Sequence, residues 1–212
     1  MAIISASHNF ICLHIPKTAG TSVRTMLSQY QSNKPESPAE WHEDMVVTRT
    51  RVSQTFFDNA FKFTFIRNPW DRMYSSYQFI CHKKLNTIEN IPQEYYKEIG
   101  FKRWLMEESF YVPNHIAPTP DMIPIQRKTL SSWMCDESGN QLVDFVGRFE
   151  NINEDFSRII KHIGVPNVTL PKLAPSQRKK DYREAYDNES REFVEIHHKI
   201  DIDTFGYTFD ND

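Results

Sequence analysis

Cysteine is scarce in this chain. Cys12, Cys81 and Cys135 are the three present in 212 residues, far apart and without a CxxC pair, which argues against a disulfide framework or a Cys-rich zinc site and fits a reducing compartment. Long hydrophobic runs are missing too. No stretch approaches the roughly 18 apolar residues that a membrane span needs. The segment from Met1 to Ile15 has no cationic start followed by a long apolar run, and His8 and Asn9 interrupt what hydrophobicity it has. These absences predict a soluble, unexported, cytoplasmic protein. Excess charge of one sign is also lacking: the formal net charge is -3, so nothing draws the whole molecule to nucleic acid or anionic membranes, and any anion must be held by local Lys and Arg clusters. No repeat of fixed period and no low-complexity tract is present.

What remains is an ordinary globular composition, 39% hydrophobic and 25% charged, in a chain long enough for one sizeable core; a single domain over 1–212 is expected. Phe10 to Ile15 is a short apolar run stopped by Pro16, which suits a buried strand. Val23, Met26, Leu27 and Tyr30 follow at helical spacing, with Thr21 or Ser22 as an N-cap. The pattern repeats. Phe61 to Ile66 predicts a second strand, Pro69 suits a first helical turn, and Met73, Tyr74, Tyr77 and Ile80 mark the helix after it. Leu142 to Phe149 predicts a third strand and Ile152 to Ile163 an amphipathic helix ended by Gly164. A last helix is expected at about Glu189 to Lys199. Residues 83–132 are irregular and rich in Pro and aromatics, with one helical candidate near Phe101 to Glu108. Strands alternating with helices predict an α/β fold with a central, mainly parallel sheet flanked by helices.

Two segments carry chemistry. The first is Pro16-Lys17-Thr18-Ala19-Gly20-Thr21-Ser22, set between strand and helix, where unpaired backbone N–H groups and the positive helix end converge on a point that suits an anion. Small residues let the backbone approach, hydroxyls add donors, and Lys17 adds a full charge. It is not a Walker A loop, because Lys17 precedes the Gly instead of following it. The second is Arg67-Asn68-Pro69-Trp70-Asp71-Arg72-Met73-Tyr74-Ser75. Arg67 leaves the C-terminal end of a strand, where ligands of parallel sheets sit, and Ser75 lies about two turns into the helix; together they could hold a second anion. Arg67 could equally pair with a carboxylate such as Asp71.

Taken together, the two segments resemble the sulfotransferase superfamily that uses 3′-phosphoadenosine-5′-phosphosulfate (PAPS), specifically its carbohydrate branch, sulfotransferase family 2. There a PKTxxTS-like loop binds the 5′-phosphosulfate and an RxPxxRxxS-like segment binds the 3′-phosphate. The resemblance extends to Asp144 through Glu150 and to Phe205-Gly206-Tyr207. It implies a P-loop-like three-layer fold, PAPS as co-substrate and adenosine 3′,5′-bisphosphate (PAP) as product, no metal, and in-line sulfuryl transfer to a hydroxyl, first of all a carbohydrate hydroxyl. It assigns Lys17, Thr18, Ala19, Gly20, Thr21 and Ser22 to the phosphosulfate and Arg67 and Ser75 to the 3′-phosphate. Ser176, Arg178 and Lys179 match, more loosely, a late basic loop that touches the same phosphate. Acceptor specificity is expected in the insertion at about 83–132. Membrane-anchored Golgi relatives make a bacterial cytoplasmic enzyme or a trimmed catalytic domain the implied setting.

Transfer to a hydroxyl needs a base, and relatives place a His or Glu between the two nucleotide motifs. His42 is the histidine there, with Glu40, Glu43 and Asp44 as rivals. His115 falls in the irregular middle, where it could line an acceptor pocket, though a structural loop residue is the plainer reading. His197 and His198 point to different helix faces and make a poor metal pair. Two other functions stay open: a nucleotide or small-molecule kinase with an atypical phosphate loop, and a non-catalytic PAP-binding module.

Overall fold

The computed structural model describes residues 2–32, 43–82, 93–107, 127–166, 170 and 181–210. The chain divides into two compact units, Met1–Arg67 with Leu130–Ala174, and Asn68–Thr129 with Pro175–Asp212.

The first unit is built on a four-stranded sheet in the order β1 (Ile3–Ser5), β2 (Phe10–Cys12), β3 (Phe61–Ile66) and β4 (Phe145–Arg148). β1 pairs antiparallel with β2, while β2, β3 and β4 run parallel. The fold is therefore α/β with a mainly parallel sheet, as the alternating pattern requires. Alternate strand residues Phe10, Cys12, Phe63 and Phe65 point to one face, where they pack with Val23 and Leu27 of α1 (Gly20–Leu27) and with Phe156, Ile159 and Ile160 of α7 (Ile152–His162). Period-2 strands thus meet period-3.6 helices to exclude water from one continuous core. α2 (Met45–Thr50), α3 (Gln54–Asn59) and α6 (Ser131–Met134) complete this unit. Asp44 and Ser53 cap α2 and α3 by accepting from Val47 and Phe56 N–H.

The second unit is helical. α4 (Pro69–His82) begins with Pro at its first position, and the Asn68 side chain accepts from Trp70 N–H at 3.1 Å. α5 (Gln93–Met106) bends at Gly100, whose φ of 75° no helix interior adopts. α8 (Asn188–His197) opens with a reciprocal capping box between Asp187 and Ser190, and α9 (Lys199–Phe205) ends on left-handed Gly206. Trp70 Nε1 donates to Arg191 O at 3.0 Å, and Tyr186 Oη donates to Trp70 O at 2.8 Å, tying α4 to the C-terminal segment. Arg72, His198 and Asp201 are wholly buried here, with His198 Nδ1 3.6 Å from Asp201 Oδ2. Burial pushes the Arg72 guanidinium down to about 10, with the Asp201 carboxylate opposing it.

Several expectations need adjusting. The sequence pattern missed β1, whose three residues are too short to show a period, and α2, α3 and α6, of which the longest has six residues. The last helix is two helices with a break at His198, and the helix expected near Phe101 is present but is preceded, across the Gly100 kink, by a further helical stretch from Gln93 that the pattern did not show. α1 starts at Gly20 with Ala19 in the cap position, not Thr21 or Ser22. The physical reason is that Ala19 is left-handed (φ 67°) and turns the chain into the helix through its backbone, with no side-chain cap hydrogen bond.

Candidate active site

β2, β3 and β4 run parallel, so the segments leaving their C-terminal ends emerge at one edge of the sheet in the first unit. After β2, Leu13 N–H continues the ladder to Phe63 O at 2.9 Å, and the chain then enters the loop carrying Lys17. After β3 comes Arg67, and after β4 comes Phe149, whose N–H donates to Ile66 O at 2.7 Å.

The loop has a particular backbone. Lys17 and Ala19 both have positive φ, 68° and 67°. For a residue with a Cβ, each such conformation costs roughly 1–2 kcal/mol, and it persists only where its surroundings fix it. Three contacts do so. Thr18 Oγ1 donates to Ile15 O at 2.9 Å. Arg67 Nη1 donates to Lys17 O at 3.2 Å. His14 packs against Gly20 so closely that a Cβ there would lie 1.7 Å from its Cδ2. The result is a tight turn whose last residues form the first turn of α1, where Ser22 and Val23 N–H donate back to Ala19 O and those of Gly20 and Thr21 belong to the unpaired start of the helix. Thr21 is exposed and Ser22 half-buried. The Lys17 loop thus leads into the positive end of a helix, the kind of backbone that suits an anion.

Lys17 and Arg67 are therefore brought together through the bond between guanidinium and carbonyl. Arg67 is 5% exposed, and its Cζ lies 4.0 Å from the Phe149 ring centroid. Thr18 is buried, its hydroxyl turned inward to the turn's own carbonyl, so what it offers an anion is its backbone. Ser75 lies on α4 in the second unit and is 6% exposed. His42, Ser176, Arg178 and Lys179 lie outside the described residues, as do His115 and Glu40. Of the rival carboxylates, Glu43 is ion-paired with Arg51, and Asp44 Oδ1 accepts from Val47 N–H at 2.9 Å as the cap of α2. Sequence reasoning missed Phe149, although the run Phe-Val-Gly-Arg-Phe contains it; the signal was there, but pairing with Arg67 requires knowing that β3 and β4 are neighbours in register.

A cleft of about 450 Å³ opens at the other end of the strands, lined by His8, Asn9, Asp58, Lys62, Asp144 and His162 among others. Its polar groups are largely engaged with one another. Lys62 Nζ donates to Phe57 O and Ala60 O and pairs with Asp144 at 3.2 Å, Asn9 Nδ2 donates to Asn59 O, and Asp58 accepts from Gln54. Among the described residues, no three His, Cys, Asp or Glu side chains cluster to hold a metal ion, and no helix is long and apolar enough to cross a membrane.

Residues 1–208 match the pattern of the Sulfotransferase family. An uncharacterized protein of Archaeoglobus fulgidus is 26% identical over 118 residues, covering 56% of this chain and 79% of its own length. No solved structure gives a significant match. With the family pattern running through nearly the whole sequence, and with the lysine loop and Arg67 meeting at the edge of the sheet, the chain belongs to the sulfotransferase family.

Proposed function

We propose that this chain transfers the sulfuryl group of PAPS to a hydroxyl of a carbohydrate-like acceptor. Family membership supports sulfuryl transfer in general; the observation that carries the finer reading is the left-handed turn at Lys17, braced by Arg67, opening into α1. Its residues fit the donor. The N–H groups of the first turn of α1 suit the phosphosulfate oxygens, and the Lys17 ammonium suits the oxygen bridging phosphorus and sulfur, where charge develops as the sulfur–oxygen bond breaks. The Arg67 guanidinium donates to the Lys17 carbonyl, and the family resemblance gives it the 3′-phosphate together with Ser75, Ser176, Arg178 and Lys179.

In the same reading His42 accepts the proton of the acceptor hydroxyl while the acceptor oxygen attacks sulfur in line and PAP departs. The engagement of Glu43 with Arg51 and of Asp44 with the start of α2 favours His42 over these two rivals. In this reading residues 1–212 are a single sulfotransferase domain of P-loop-like, three-layer type, with acceptor recognition in the insertion at 83–132, working in the cytoplasm without a metal. Calorimetry with PAP and, in parallel, ADP tests the donor. PAP uptake with ADP ignored is the expected outcome; the reverse would make the chain a kinase-like protein. Transfer of radiolabel from PAPS across a panel of sugars and simple alcohols then identifies the acceptor, and PAP uptake without transfer to any of them would leave a binding module.

A further inference from the structure

Phe149 stacks on Arg67, the residue whose guanidinium holds the Lys17 carbonyl. It continues the parallel pairing of β3 and β4 by one residue, Phe149 N–H to Ile66 O at 2.7 Å. The preceding residue is fixed as well, since Arg148 N–H donates to Asp155 Oδ2 at 2.8 Å and Asp155 is buried on α7. The aromatic ring is thus carried by rigid backbone to the side of Arg67, the first residue after β3, where the guanidinium lies 4.0 Å from the ring centroid. That distance is well inside the range of a cation–π contact. The other side of the chain of contacts is the bond from Arg67 Nη1 to Lys17 O at 3.2 Å.

We propose that Phe149 is a positioning residue for Lys17: by stacking on Arg67 it holds the guanidinium against the Lys17 carbonyl, and so locks the left-handed turn that aims the Lys17 ammonium and the N–H groups of α1. The inference deepens the sulfotransferase reading and rests on it for its catalytic consequence. Left-handed backbone at a residue with a Cβ is intrinsically disfavoured, so a released carbonyl lets the peptide between Lys17 and Thr18 rotate and carries the ammonium away from its station. Displacements of about 1 Å at a reacting centre are enough to cost large factors in rate. A second consequence is coupling. Since the same guanidinium is assigned to the far phosphate, engagement of Arg67 by that phosphate and the setting of Lys17 are joined through one rigid planar group.

Phe149→Leu, which keeps an apolar side chain and removes the ring face, and Phe149→Tyr, which keeps the face, separate this role from simple packing. Phe149 is only half-buried, so both variants should fold. In the protein without nucleotide, hydrogen exchange of the Ser22 and Val23 amides, which donate to Ala19 O, should quicken about fivefold in Phe149→Leu and return to the wild-type rate in Phe149→Tyr. With saturating PAPS, kcat should fall about tenfold in Phe149→Leu, recover in Phe149→Tyr, and outpace any loss in PAP affinity. Unchanged exchange in Phe149→Leu, or equal losses in both variants, overturns the proposal. Failure of the wild-type protein to take up PAP refutes the sulfotransferase reading instead, and the exchange rates still judge the brace.

Discussion

Gly20→Ala probes the packing that fixes the loop. A Cβ at position 20 would stand 1.7 Å from His14 Cδ2, 2.0 Å from Nε2 and 2.8 Å from Cγ, so the whole imidazole must leave its place. Overpacking of this kind costs typically 1–3 kcal/mol. Against it stands the gain of replacing Gly by Ala in a helix, about 0.5–1 kcal/mol. The balance is a net loss of about 1 kcal/mol, which in a protein of this size lowers Tm by roughly 2–4 °C. Urea titration measures the loss directly. Adding His14→Ala makes room for the methyl group, so the double variant should be about 1–2 kcal/mol more stable than the sum of the two single effects allows. PAP affinity should fall at least about tenfold in Gly20→Ala, because anion binding depends on convergent N–H groups that the displaced turn no longer presents. A Gly20→Ala protein that melts at or above the wild-type midpoint, or a double variant showing simple additivity, would refute the reasoning.

Lys17→Ala should lower kcat by about 100-fold or more while changing Tm little, since the left-handed φ of 68° is kept; unchanged turnover under saturating PAPS would remove Lys17 from the chemistry. Asp201→Asn strips the buried Arg72 of the carboxylate that opposes its desolvation and should destabilise the protein by about 3 kcal/mol, seen as an earlier urea midpoint. In the exposed cluster of Lys102, Asp187 and Glu189, hydrogen bonds to the two carboxylates raise Lys102 to about 12, and those from Lys102 and Ser190 hold Asp187 well below the usual carboxylate range. The signs differ. The Lys102 contribution is complete below the ordinary lysine value of about 10.4 and is lost as pH climbs through about 12. The Asp187 contribution is present above the ordinary aspartate value of about 3.9 and is lost as pH falls toward its depressed native value. Asp187→Asn should flatten the acid limb of a stability profile; an unaltered limb would show that the cluster adds nothing.

The strands around Phe10, Phe61 and Phe145 and the helices after them were legible because their apolar spacing is a local property of the chain. So was the lysine loop, since a Pro stop, a Lys and a run of small residues before a helical stripe need no tertiary knowledge. β1 was not legible: Ile3 to Ser5 has no alternation to read, and it becomes a strand only because β2 offers a free edge. The role of Arg67 was half legible. Its position after a strand was evident from sequence, and an acidic neighbour was the obvious alternative partner. The carbonyl of Lys17 and the face of Phe149 become its partners through a register spanning β2, β3 and β4, in which residues some 50 and 82 positions away are set beside it.

By itself, the sequence determined which chemistry is on offer: one lysine before a helix start, one arginine after a strand, no metal-binding arrangement of cysteines and no apolar span. Tertiary structure decided how that chemistry is held. Left-handed backbone at Lys17 and Ala19 is unfavourable for the residues placed there and persists only where its surroundings fix it. Two of its contacts are local, the Thr18 hydroxyl on Ile15 O and His14 against Gly20; the third, from Arg67 some 50 residues on, arises only once the sheet has set β3 beside β2.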